Sequence, residues 1–448
     1  MKIKNILNLL ILNLIIIFTL LLIFIIYKSE IVFNGQLRNY YLPYYIVIFF
    51  TISISSFILF LKNIYKSYYV IIIYSLIFSL YFFEGFISYR LYKDDKNLKL
   101  EREKQYFINS KKKFDNRTPV EVLKKIFISN PSVALPLLPE FYSKKNNEIF
   151  PLGNVSNSET IFCNENGYYS IYLSDRYGFN NPDKEWDKPK IKFLLLGDSF
   201  VHGACVNRPN DVASHLRNIS KDTVINLGYK GNGPLMQLAA YKEYSSNNID
   251  NVIWFYFEND VWDLKRELDN KFLTKYLYTE NFTQNLINKQ NIIDFYLKNK
   301  IYKIANKKIK KRNSFSYELI RLVKFIKLEN IRKIILEPKI QPEFFEILKL
   351  IQKLTKKNNT NIYFVYLPSY QNVKNNSYDK NFDKIKKKLI ELEIPLINIK
   401  VELFDKLNEP INLFPFGFVG HYNEEGYKKV AETLNFLIEK KISSNEYP

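Results

Sequence analysis

The sequence predicts an α/β protein, with a soluble domain on a parallel five-stranded sheet preceded by three transmembrane helices. Three observations carry this. Residues 1–89 hold long apolar runs at 6–27, 45–61 and 68–89, each able to cross roughly 30 Å of hydrocarbon. The rest of the chain alternates short apolar runs with amphipathic ones, the rhythm of βα units. The run "IKFLLL" at 191–196 is apolar without alternation, as a strand buried on both faces must be, and it halts at "GDSF".

Taken in order, the first run is too long for the apolar part of a cleaved signal peptide, and no small-x-small site follows it. With the N-terminus in the cytoplasm, Lys2, Lys4, Lys62 and Lys66 lie inside against Lys28 and Arg38 outside; Arg90, Lys93, Lys96 and Lys99 argue the reverse. Long domains translocate largely regardless of charge, so the large domain is expected on the periplasmic side. Glu84, in the third run, is expected to be an interfacial carboxylate that reaches water rather than an intramembrane functional group.

Residues 91–150 read as a lysine-rich stalk with one helix, "TPVEVLKKIF", capped by Thr118 with Pro119 at its first position. The soluble domain is expected at 151–448, with strands at 191–196, 223–227, 252–257, 361–367 and 396–400. The helix "PNDVASHLRNI" is read as starting at Pro209. The stretch 264–335 breaks the rhythm, being long and rich in lysine and tyrosine, and reads as a helical insertion. Its run "KKIKKR" at 307–312 reads as a solvated helix face.

The net charge of +20 comes from 65 Lys and Arg against 45 Asp and Glu. The lysines are spread over the whole chain, so the charge reads as compositional bias, and no nucleic-acid partner is expected. Oligomeric state is not encoded in any pattern found here. Three scattered histidines and two cysteines form no metal-ligand spacing, so no metal or other cofactor is expected. Cys163 and Cys205 either form a disulfide bracing the loop after Ser199, which demands an oxidising compartment, or are two unrelated buried thiols.

Ser199 sits at the carboxyl end of a parallel strand, where open α/β sheets place their ligands, with a helix N-terminus following. Free backbone N–H groups then adjoin a nucleophile, the arrangement an acyl-transfer oxyanion requires. Later apolar runs deliver Gly231, in "GYKGNG", and Asn259, in "END", to the same edge. His421, in "FPFGFVGHYNEEGY", is the candidate base, because a serine hydroxyl needs a neutral imidazole to take its proton.

These four blocks, across roughly 190–270 and 360–440, resemble in order those of the SGNH, or GDSL-type, hydrolases, and in particular a membrane-anchored bacterial branch. The resemblance implies a flavodoxin-like three-layer α/β/α sandwich. It also implies Ser199 as nucleophile, His421 as base, and an oxyanion hole from the Ser199 and Gly231 N–H groups and the Asn259 side chain. Two positions depart from the pattern. Glu258 replaces the glycine that commonly precedes the asparagine, and Phe418 stands where an aspartate usually lies three residues before the histidine.

The ring of His421 is therefore expected to lean on a main-chain carbonyl of "GFVG", with Phe418 the donor of that carbonyl; the rival is a carboxylate from Glu258 or Asp263. Glu424 and Glu425 read as helix-start residues behind Asn423, and Asp260 and Asp263 as loop or N-cap residues. His202 is either a substrate contact or a packed turn histidine, and His215 is structural. The expected function is a membrane-anchored serine esterase acting on acyl, above all acetyl, esters of a carbohydrate or lipid. The alternatives are an O-acyltransferase modifying a cell-envelope glycan and a non-catalytic, membrane-tethered glycan-binding domain. The expected partners are the bilayer and the acylated glycan or lipid.

Overall fold

The computed structural model describes residues 2–32, 35, 38–138, 149–245, 248–307, 315–335 and 339–444. It forms two compact units, Met1–Lys93 with Lys310–Glu337, and Asp94–Ile309 with Pro338–Pro448.

The first unit is built on α1 (Lys2–Ile26), α2 (Arg38–Ile58) and the membrane-proximal half of α3 (Asn63–Ser110). All three are long and apolar enough to cross a membrane. α3 runs unbroken past residue 91, where the stalk was expected to begin, because "DDKNLKLEREKQ" consists largely of good helix formers with neither glycine nor proline. Glu84 corrects its expectation. Its buried carboxylate accepts the N–H groups of Asn330 at 3.1 Å and Ile331 at 2.9 Å, at the start of the helix Glu329–Ile335. An anion at a helix N-terminus satisfies orphan donors and opposes the dipole, so this carboxylate caps a helix instead of reaching for water. The run 307–312 lies, beyond Lys307, outside the described residues.

In the second unit Thr118 caps the helix Pro119–Phe127 in a reciprocal box with Glu121. A two-stranded antiparallel hairpin follows, β1 (Glu159–Ile161) with β2 (Ile171–Leu173). Then come the five strands β3 (Ile191–Leu196), β4 (Val224–Asn226), β5 (Ile249–Tyr256), β6 (Asn361–Tyr366) and β7 (Leu396–Asn398). They pair in parallel in the order β4-β3-β5-β6-β7.

Because successive side chains leave a strand on opposite faces, each strand feeds two cores. Leu194, Leu196, Val252 and Trp254 pack under the helices Pro234–Tyr244 and Pro342–Lys357. Phe193, Leu195, Ile253 and Phe255 pack under Val212–Ser220 and Glu424–Ser444. The result is a three-layer α/β/α sandwich in the flavodoxin-like strand order. The direction of winding reverses between β3 and β5, and the crevice outside the carboxyl ends of strands at such a reversal is where this topology binds ligands. The longer helix between β3 and β4 begins at Val212, capped by Asp211 rather than started by Pro209, since the Asp211 side chain reaches the Ser214 N–H.

Candidate functional site

The chain leaves β3 through Gly197 and Asp198, and Ser199 opens a short helix, Ser199–His202. A Cβ on Gly197 would meet Val201 at 2.4 Å, so only glycine allows so tight a turn. Asp198 caps the turn by accepting the Phe200 N–H at 2.9 Å.

His421 comes from the far end of the chain, in the loop before the helix Glu424–Ser444. That helix is started by Asn423, whose side chain accepts the Gly426 N–H at 2.9 Å. The next residue to the histidine, Tyr422, fixes the loop by donating its hydroxyl to the Pro368 carbonyl at 2.8 Å. The His421 ring lies against Phe200, and its Nε2 sits 2.9 Å from Ser199 Oγ.

The third member corrects the sequence reading. Glu165, in the loop joining β1 to β2, places Oε1 3.0 Å from His421 Nδ1, and its Oε2 accepts the His421 backbone N–H at 2.7 Å. A carboxylate, and not the Phe418 carbonyl, therefore holds the ring. Neither rival fills that place: Glu258 is bound to Ser369, and Asp263 is engaged with Asn259 and Arg266. Glu165 and His421 lie 256 residues apart in the chain, so no local spacing connects them. One clue was present. Glu165 follows Cys163 by two positions, and the structure joins Cys163 to Cys205, six residues beyond Ser199. Asn166 adds a second tie, donating to the Cys205 carbonyl at 2.9 Å.

The electrostatics follow from this arrangement. Burial alone would raise the Glu165 pKa, but His421, its hydrogen bonds and the Arg102 charge outweigh that and hold it at about 2. Burial opposes charging of His421, yet Glu165 and then Asp198 prevail over it and over Lys230, so its pKa is raised. With Glu165 accepting at Nδ1, that nitrogen carries the proton and Nε2 is free to accept from Ser199.

Gly231 lies in the loop after β4 with a left-handed φ of 73°, and its carbonyl accepts from Arg266 at 2.7 Å. The helix after this loop is capped by Glu267, which accepts N–H groups of Gly233 at 2.6 Å and Leu235 at 2.9 Å. Asn259 reaches the same edge, but its Nδ2 donates to Asp198 at 3.2 Å and to Asp263 at 3.1 Å. Both of its hydrogens are thus directed at carboxylates, and service to an oxyanion requires one of those bonds to be given up.

His202 takes, in the structure, the packed environment of the second reading. It is buried, its Nδ1 accepts the Lys230 N–H at 3.1 Å, its Nε2 meets the Tyr172 hydroxyl at 2.7 Å, and Phe162 and Tyr229 stack on its two sides. Glu165, Cys205 and His421 place potential ligand atoms within 4.8 Å of one another. The Cys205 sulfur is already bonded to Cys163, however, which leaves two donors that bind each other.

No family model matches the chain, and no curated protein matches it in sequence. Among solved structures it is similar to a protein assigned to the G-D-S-L lipolytic family from Desulfitobacterium hafniense, at 15% identity and a TM-score of 0.29, over 55% of this chain and 98% of that one. It is also similar to the protein YXIM of Bacillus subtilis, at 12% identity and a TM-score of 0.33, over 56% of this chain and 57% of that one. At these values the likeness is one of outline, and neither protein's activity transfers to this chain.

Proposed function

We propose that this protein is a membrane-anchored serine esterase that releases acyl groups, acetyl foremost, from a carbohydrate or lipid ester through an acyl-serine intermediate. The observation that supports it is the unbroken hydrogen-bonded line from Ser199 Oγ through His421 to Glu165 at the carboxyl edge of the sheet.

In this reading His421 Nε2 takes the Ser199 proton as Oγ attacks the ester carbonyl, and then returns it to the departing alkoxide. Water repeats the attack on the acyl-serine, with His421 again the base. Glu165 keeps the ring in the productive tautomer and stabilises the imidazolium without taking the proton itself. The developing oxyanion is met by the Ser199 and Gly231 N–H groups, and by Asn259 once one of its carboxylate bonds is exchanged for the substrate. Each such donor contributes about 3–4 kcal/mol in comparable sites.

The test is labelling of the full-length protein by a fluorophosphonate, together with hydrolysis of an acetyl ester. Wild type should react in both and Ser199→Ala in neither. Equal labelling of the two proteins removes the assignment. Repeating the assay with a sugar acceptor separates release to water from transfer to a hydroxyl.

A further inference from the structure

The third member of the site arrives from a hairpin loop, so it must be registered against the histidine loop by something other than chain continuity. One residue outside both loops touches that junction. Arg102, on the outer part of α3, donates from Nη2 to the Val419 carbonyl, two residues before His421. A Cβ added to Gly420 would lie 2.6 Å from Glu165 Oε2 and 2.9 Å from Arg102 Nη2, so the carboxylate and the guanidinium converge on this one glycine. One turn further along α3, Tyr106 packs edge-on against Phe114 and Phe416. A Cβ on Gly167 would come within 2.3 Å of the Tyr106 ring, which leaves only glycine beneath it. The same loop is held from its other side, where Asn164 donates to the Asp115 carbonyl at 2.8 Å and Asp115 donates its N–H to Gly167 at 3.0 Å. Residues 102–115 thus grip both the loop that carries Glu165 and the loop that carries His421.

We propose that Arg102 is a positioning residue that locks Glu165 against the His421 loop, so that the helix continuing from the third apolar span completes the esterase site. This rests on the reading of Ser199, His421 and Glu165 given above. A guanidinium suits the task because it presents several donors in a fixed plane, donating to a carbonyl with one while facing a carboxylate with its charge. The charged groups acting on His421 are Glu165, Asp198 and Lys230, and Arg102 acts on the first of these. If Arg102 is lost, Glu165 is free to move from Nδ1, and the histidine loses the partner that raises its pKa.

The experiment measures the rate of fluorophosphonate labelling of Ser199 in full-length wild type, Arg102→Lys, Arg102→Met and Arg102→Ala, across the pH range in which imidazole titrates. Arg102→Met is expected to lower the limiting rate about 10- to 100-fold, as loss of an outer orienting partner does elsewhere. Its midpoint should move down towards that of an ordinary histidine. Arg102→Lys should recover part of the rate, and added guanidinium ion should accelerate Arg102→Ala but not wild type. The proposal is overturned if wild type labels normally while Arg102→Met keeps the wild-type midpoint, or if guanidinium does not accelerate Arg102→Ala. Failure of wild type to label would instead remove the site assignment beneath it.

Discussion

At the scale of single residues, the contrast between the half-buried His421 and the buried His202 is set by their partners. His421 has a carboxylate on one nitrogen and a serine on the other, so it is poised to gain a proton. Its raised pKa means that the reactive, neutral form dominates only at higher pH. The acylation rate should therefore climb with pH to a midpoint above the ordinary histidine value, and Glu165→Gln should bring that midpoint down. We expect Glu165→Gln to lower turnover by roughly 10²- to 10⁴-fold and His421→Ala by 10³-fold or more, measured as acetyl-ester hydrolysis. Unaltered turnover in Glu165→Gln would return the orienting role to a carbonyl. His202 behaves oppositely. Burial holds its pKa at about 3 against 6.5 in the unfolded chain. Its folded value is depressed, so its contribution to stability is complete above pH 6.5 and is lost as pH falls from there towards 3. The difference corresponds to about 5 kcal/mol. Thermal unfolding of the detergent-solubilised protein should lose midpoint steeply over that range, and His202→Gln should flatten the loss.

At the scale of elements, the sheet was legible in the sequence because a strand buried on both faces needs an uninterrupted apolar run. "IKFLLL" and "VIWFYF" are such runs, and their ends located Ser199 and Asn259. Gly231 was legible for a related reason, as the small residue in the glycine-rich stretch after the run of β4, and the structure gives it a left-handed backbone. Glu165 and Arg102 were not legible. Each acts through a contact with a segment hundreds of residues away, and a carboxylate in a polar loop looks like any solvated turn residue until the fold closes. Glu84 failed for the same reason, its partner helix being a distant segment. The hairpin is also stapled. The Cys163–Cys205 bridge spans 42 residues, which in the chain-entropy model stabilises by about 4 kcal/mol. Cys163→Ser with Cys205→Ser should lower the unfolding midpoint and slow Ser199 labelling more than it weakens the fold, because the staple lies beside both the acid and the nucleophile loops. Full labelling at a temperature where the variant remains folded would show that the staple serves stability alone.

At the scale of the whole molecule, three helices able to cross a membrane share a chain with a unit that carries a disulfide. Disulfides persist in oxidising compartments, and on that ground we propose that the domain is extracytoplasmic, against the basic residues that follow the third apolar run. Protease added to intact spheroplasts should therefore digest the 338–444 region. Protection there, with digestion only after lysis, would put the domain in the cytoplasm.

The same bridge bears on when the protein becomes active. Its two sulfurs belong to the loops that bear Glu165 and Ser199, so in a reducing cytosol the acid-bearing hairpin lacks its covalent tether. On the esterase reading proposed above, a newly made chain would then carry Ser199 without a secured base, and would spare the acyl esters of the compartment in which it is synthesised. If the domain is exported as proposed, oxidation there would join the two loops and complete the site.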